Sequence, residues 1–178
     1  MVFRGNSAIE YLKKSMQDND EASSIFWKSH HSNLVFDDEK FIGLEMLGTS
    51  KKRTISNLLI YELVEKILQN PFIEEAKKDS SFIIIDLIAR DIAKRVDQIY
   101  SLDRLRHTLT LWLLQKQIPD FTSKASKTCV IGDGYATLTT LLIATKSDSQ
   151  LFLINLNKSL LVDLFYLKKY LGKVEFDN

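Results

Sequence analysis

Apolar residues recur at helical spacing along the first part of the chain and in short unbroken runs near its end, and the change falls close to Pro119. From Ser7 to Gln17, Ile9, Tyr11, Leu12 and Met16 form one helical face, followed by an acidic turn at Asp18, Asp20 and Glu21. Ile25 to Leu47 mixes aromatics with Gly43 and has no dominant period, so no element is assigned there. Ser56 to Gln69 places Leu59, Ile60, Leu63, Val64, Ile67 and Leu68 on one stripe, with Thr54 or Ser56 to cap its start and Pro71 to bound it. Phe82 to Tyr100 opens with a β-rich run. The charges from Asp86 to Asp97 nevertheless leave Leu87, Ile88, Ile92, Val96 and Ile99 as one stripe, and the length favours a helix. A further helix begins after Ser101 as N-cap, carries Leu102, Leu105, Leu109, Trp112 and Leu113, and stops at Pro119.

Beyond the polar loop Asp120 to Ser126 the pattern changes. Thr128 to Ile131 is a short β-branched run ending at Gly132, and Ala136 to Thr145 reads as a helix. Leu151 to Ile154 is a second apolar run. It leads into a helix over Leu160 to Leu171 that Gly172 would stop, and Lys173 to Phe176 reads as a third strand. The order βαβαβ predicts a parallel sheet with both faces covered and right-handed crossovers. The expected fold class is therefore α/β: a helical N-terminal region over residues 1–120, then an incomplete Rossmann-like parallel sheet over residues 121–178.

Gly132 and Gly134 fall on the first strand-to-helix turn. Glycine there lets the backbone approach a ligand, whose polar end meets the unpaired N–H groups of the following helix. A dinucleotide fingerprint G-x-G-x-x-G would need a third glycine where Thr137 stands. The spacing G-x-G-x-G falls on Gly132, Gly134 and Ala136, with the smallest side chain available at the third place, which favours the adenosylmethionine form of the motif. At the end of the second strand Asn155 carries an amide that could bond a ribose diol or cap the next helix together with Asn157.

VIGDGYATL followed by LFLINLNKSLLVDLFYL resembles the first two strand-helix units of class I S-adenosyl-L-methionine-dependent methyltransferases, and more narrowly the sugar O-methyltransferases. The resemblance covers roughly Lys127 to Phe176. It implies a loop of Gly132, Asp133, Gly134, Tyr135 and Ala136 facing the methionine part of S-adenosyl-L-methionine, Asn155 facing its ribose, and a sugar-containing small molecule as methyl acceptor. Three positions depart from the family pattern: Ala136 for the third glycine, Val130 where many members are acidic, and Asn155 for Asp or Glu. The family's sheet has about seven strands, so the chain reads as a truncated methyltransferase whose open sheet edge invites homodimerisation.

Composition narrows the alternatives. Lys plus Arg is 24 against 23 for Asp plus Glu, a net charge of +1, which disfavours a protein built to neutralise phosphates. The longest stretch free of charged residues, Gly134 to Thr145, falls short of the roughly 18 to 20 residues of a membrane span. Charges at Glu10, Lys13 and Lys14 precede any apolar h-region, and the lone Cys129 forms no internal disulfide, so a cytoplasmic location is expected. Cys129 is expected to be a buried strand residue and Asp133 an exposed turn carboxylate. Adjacent His30 and His31 do not make a metal site, and no metal is expected. His107 is a candidate base for a sugar hydroxyl, with a solvated helix face as its default reading; no catalytic residue is assigned. Trp27, Trp112, Tyr166 and Tyr170 are core by default. Two other function classes stay open, a non-catalytic interaction or dimerisation module and a nicotinamide-dependent oxidoreductase, the latter disfavoured by Thr137 and Asn155.

Overall fold

A computed structural model describes residues 4–15, 35–37, 40–42, 63–64, 67–71, 73–118, 120–121, 127–145 and 150–177. In chain order the elements are α1 (Gly5–Ser15), β1 (Val35–Asp37), β2 (Lys40–Ile42), α2 (Ser80–Arg95), α3 (Leu102–Gln117), β3 (Lys127–Ile131), α4 (Thr137–Thr145), β4 (Gln150–Ile154), α5 (Asn157–Leu171) and α6 (Lys173–Asp177). β1 and β2 pair antiparallel inside the stretch that had no assigned period. β3 and β4 pair parallel with Val130 opposite Leu153, so a mixed α/β unit follows the helices. Residues 30 and 31, Trp27, Thr54 and Ser56 lie outside the described residues. Helical residues continue through Pro71, where the sequence predicts a stop, and Glu74 N–H reaches Asn70 O at 3.2 Å.

The caps explain the helix limits. Asp79 accepts from Ser81 N to start α2, and Ser101 accepts from Arg104 N to start α3 as expected. α2 ends earlier than its periodicity suggests. Asp97 takes a φ of 57°, Gln98 N bonds Ala93 O at 2.8 Å and Asp97 N bonds Lys94 O at 3.2 Å, a Schellman closure with aspartate in the left-handed place. This closure turns Gln98 inward, where it is buried.

The buried faces of α2 and α3 keep Ile92, Val96, Ile99 and Leu105 of the expected stripes but not all of them. α2 also buries Phe82, Ile85 and Ala89 while Leu87 is exposed; α3 also buries Arg104, Thr108 and Leu111 while Leu102 and Leu113 are exposed. The difference follows from polar contacts that hydropathy does not register. Tyr100 Oη donates to Asp86 at 2.5 Å and meets Thr108 Oγ1 at 3.2 Å, which draws the polar stripe of α3 inward. One apolar cluster joins Ile85, Ala89 and Ile92 of α2 to Leu111, Val130, Leu141 and Leu142, so the core runs unbroken across position 120. A second joins Ile9 and Leu12 of α1 to Leu161, Val162, Tyr166 and Leu167 of α5 and Phe176 of α6. Each fully buried Leu, Ile or Phe in these clusters contributes about 1.5 to 3 kcal/mol.

Three expectations about the sheet are corrected. Lys173–Asp177 is a short helix and not a third strand: beyond the Gly172 cap only Phe176 reaches core, Val174 is exposed, and Asp177 Oδ1 holds Asn6 N at 3.0 Å. Among the described residues the sheet is covered on one face alone. Val130 and Leu153 point toward the helices, whereas Ile131 (75% exposed), Phe152 (40%) and Ile154 (55%) line a bare face. Cys129 stands on that bare face and is exposed, since its pairing with Phe152 sets it on the side opposite Val130. Among the described residues, no helix is long and apolar enough to cross a membrane.

Candidate functional site

The turn from β3 to α4 sits at the carboxyl end of the parallel pair, where an α/β sheet offers its ligand crevice. Gly132 has φ +70° and Gly134 φ +86°, values that L side chains rarely adopt, so the chain can take this path only with glycine at both places. A Cβ added at either would meet nothing within 4 Å, so open space lies before both α-carbons. Ala136, at the third place of the motif, also has a positive φ of 50° and is fully buried. Forcing alanine into that region costs roughly 1 to 2 kcal/mol. The third glycine of the pattern would relieve a strain that this chain tolerates.

Two carboxylates hold the turn in place. Asp133 is buried, contrary to the expectation of an exposed turn residue, because its Oδ1 and Oδ2 accept from Leu138 N and Thr139 N, each at 2.8 Å. It caps α4 and satisfies two of the helix's orphan donors. Asp163, nearly two turns into α5, accepts from Ala136 N at 2.9 Å and from Asn155 Nδ2 at 2.8 Å. Burial pushes the Asp163 carboxyl up to about 7; the bonds from Asn155, Ala136 and Gly134 pull against that shift, and the neighbouring Asp133 adds to it. Gly132 N continues the ladder to Ile154 O at 2.9 Å. The N–H groups that could grip an anion are thus largely engaged by the protein's own acceptors.

Asn155 does not cap α5. The cap residue is Leu156, with no side-chain bond, while the Asn155 amide is divided between Asp163 and Leu156 N at 2.9 Å. Tyr135 packs its ring on Tyr166 with centroids 5.6 Å apart, which ties the loop to α5. Gly132, Asp133, Gly134, Tyr135, Ala136 and Asn155 therefore all belong to one turn and the strand end beside it, with Asp163 as their shared anchor.

From the other side α3, which carries Arg104 and His107, packs against α4. His107 is not on a solvated face: its side chain is 14% exposed. Burial lowers its pKa, with the negative charges of Asp133 and Asp103 opposing the shift, so the imidazole is neutral at neutral pH, the form a proton acceptor needs. Arg104 is buried and donates from Nη2 to Gln98 Oε1, and its burial pulls its pKa down to about 10. Arg104 and Asp163 are the site residues that sequence reasoning missed. Each had one legible signal, a charge interrupting an otherwise apolar helical stripe. Trp112 is core as expected, edge-on to Phe82 at 5.8 Å with its Nε1 donating to Asp79 Oδ2.

Comparison of the chain with protein-family models, with curated proteins and with solved structures finds no significant match.

Proposed function

We propose that the chain carries the S-adenosyl-L-methionine-binding part of a methyltransferase, on an incomplete Rossmann-like sheet, with a sugar hydroxyl as methyl acceptor and the cytoplasm as its place of action. The observation that supports this reading is the electrostatics of the glycine turn. A dinucleotide needs free N–H donors for its pyrophosphate, but here Asp133 and Asp163 already take those of Ala136, Leu138 and Thr139. The Asp133 carboxylate at the turn would also repel phosphate and attract a cationic sulfonium. The open space before Gly132 and Gly134 fits a ligand laid directly against the backbone.

In this reading Gly132 and Gly134 hold the ligand by close approach, Asp133 fixes the turn, and Asn155 offers the remaining amide capacity to a diol. Bound there, S-adenosyl-L-methionine supplies an electrophilic methyl group for in-line displacement. The protein's share is to align the acceptor and to take its proton, and neutral His107 beside the turn is the available acceptor of that proton. A non-catalytic interaction or dimerisation module is the second reading. The bare sheet face of Ile131, Phe152 and Ile154 favours it.

Thermal melts with S-adenosylhomocysteine, with NAD as control, decide between them, because a ligand that binds only the folded state raises Tm. The cofactor reading expects a rise with S-adenosylhomocysteine alone, which Gly132→Ala abolishes by setting a methyl group in the space before the turn, while alanine at a φ of +70° lowers the ligand-free Tm of the variant. A rise with NAD alone, or a cooperative melt indifferent to both, refutes it.

A further inference from the structure

One helical segment of the chain turns its apolar face to solvent. Leu63, Val64, Ile67 and Leu68 stand at i, i+1, i+4 and i+5 in the helical residues before Pro71, so they share one side of the helix. The four are 60, 46, 60 and 51% exposed. Gln69, on the opposite side of the same turn, is buried in their stead and donates from Nε2 to Tyr100 O at 3.1 Å. Ile73 then packs with Phe82 of α2 and Leu105 of α3, which fixes the segment to the helical layer. An amphipathic helix ordinarily gives its apolar stripe to a core, and here that stripe is left over. In the sequence the same spacing runs back through Leu59 and Ile60.

The β3–β4 pair has the reciprocal defect. Ile131, Phe152 and Ile154 are exposed on one face, with Cys129 beside them, whereas a parallel sheet is ordinarily covered by helices on both sides. A helix stripe laid on a sheet face is the standard contact between layers. Within one molecule the two surfaces lie on opposite sides of the sheet. Val130 joins the core of α2 and α3 from the covered face, and Gln69 and Ile73 hold the helical segment to that same layer. A second copy of the chain brings a stripe and a bare face together without releasing either anchor.

Area decides the stoichiometry. Full burial removes up to about 120 Å² for an aliphatic side chain and about 200 Å² for phenylalanine, so at the observed exposures each surface offers about 200 to 250 Å² of apolar area. One such contact falls far below the roughly 800 Å² per partner of a stable interface. Two reciprocal contacts give each copy about 450 Å² of apolar area, which at an apolar share of about 60% makes an interface of roughly 750 Å² per partner. We propose that two copies of the chain pair about a two-fold axis, each laying its Leu63, Val64, Ile67 and Leu68 stripe on the Ile131, Phe152 and Ile154 face of the other. None of these residues belongs to the Gly132 to Ala136 turn, so the pairing stands whether or not that turn holds a cofactor.

The test is sedimentation velocity on the full chain across the micromolar range, where the parent is expected to reach the dimer mass. Ile67→Glu and Phe152→Lys each set a charge on an exposed position, one on each surface, and each weakens dimerisation by about 30-fold or more, because the change is felt at both contacts. An equimolar mixture of the two variants recovers association, since the mixed pair keeps one native contact and sets the new carboxylate against the new ammonium in the other. If either variant does not melt cooperatively, Ile67→Ser and Phe152→Ser carry the same comparison with smaller shifts. Cys129, the chain's one cysteine, gives a second readout. On oxidation with diamide, at least one of Leu63→Cys, Val64→Cys, Ile67→Cys and Leu68→Cys forms a disulfide with the partner's Cys129. A parent that stays monomeric overturns the proposal. So does a dimer that both variants leave intact, which places the contact at the sheet edge, and so does a parent that oxidises in high yield from Cys129 to Cys129, which sets the two bare faces together.

Discussion

Asp163→Asn isolates the carboxylate that anchors the glycine turn, and it does so through pH. The Asp163 carboxyl stands at about 7 in the folded chain, because burial disfavours its charged form. In the unfolded chain an aspartate titrates near 3.9. A folded pKa raised above the unfolded one means that the native state prefers the proton, so this contribution is fully present below about pH 4 and is lost as pH rises through about 7. The gap of about three units corresponds to about 4 kcal/mol, of which about 2.5 kcal/mol disappears between about pH 5 and pH 8. For a chain of this size that is roughly 5 to 10 °C in Tm.

The variant keeps an oxygen for Ala136 N and turns an amide toward Asn155, which can rotate its own amide to match. That exchange shifts stability by a constant of about 1 kcal/mol and leaves the pH term out. His107 runs the other way: burial lowers its pKa, so its contribution is lost as pH falls, and both proteins share it. The measurement is the difference in unfolding free energy between parent and variant, from denaturant titrations at half-unit steps across that window. The parent must lose ground to Asp163→Asn as pH rises. Parallel profiles, or a parent that gains ground, would refute the buried, proton-holding anchor.

Asp133→Ala removes the cap that serves Leu138 N and Thr139 N, and a loss of about 2 kcal/mol is expected, read as a fall in the denaturant midpoint with an unchanged slope; less than about 0.5 kcal/mol would mean that α4 does not depend on that carboxylate. Gly5→Ala tests the junction of the chain's two ends. Its Cβ would stand 2.8 Å from both Asp177 Cα and Phe176 O at a φ of +51°, so a destabilisation of about 2 to 3 kcal/mol is expected, and a neutral result in thermal melts would remove α6 from its place against α1.

Much of the architecture was legible because one kind of signal governs it. Ser101 as N-cap, the strands at β3 and β4, the glycine turn and the stop at Gly172 all follow from residue types whose local preferences agree with the final packing. The failures share a cause too. KVEF has strand propensity, but a strand needs a neighbour, and Asn6 holds Asp177 with bonds of 2.7 Å that favour a helical turn against α1. On α2 and α3 the expected Ile92, Val96, Ile99 and Leu105 are buried, but Leu87, Leu102 and Leu113 are not, and Arg104 and Thr108 take the interior through bonds to Gln98, Arg104 O and Tyr100. Hydropathy ranks residues by transfer from water and is silent about a partner waiting in the interior.

That silence explains why the candidate site was half visible. The glycines, Asp133 and Asn155 lie within one local pattern. Asp163 reaches the same turn from α5, while Arg104 and His107 lie on α3, which packs against α4, and no spacing in the sequence connects them. The groups at this turn are also disposed against stability: an aspartate is raised to about 7, and Ala136 is held at a φ of 50° by the bond from its own N–H. A tight turn chosen for folding alone would carry neither, since an apolar or paired replacement and a third glycine are each available at lower cost. Their meeting at one strand-to-helix turn supports the proposed reading of this end of the sheet as a ligand site.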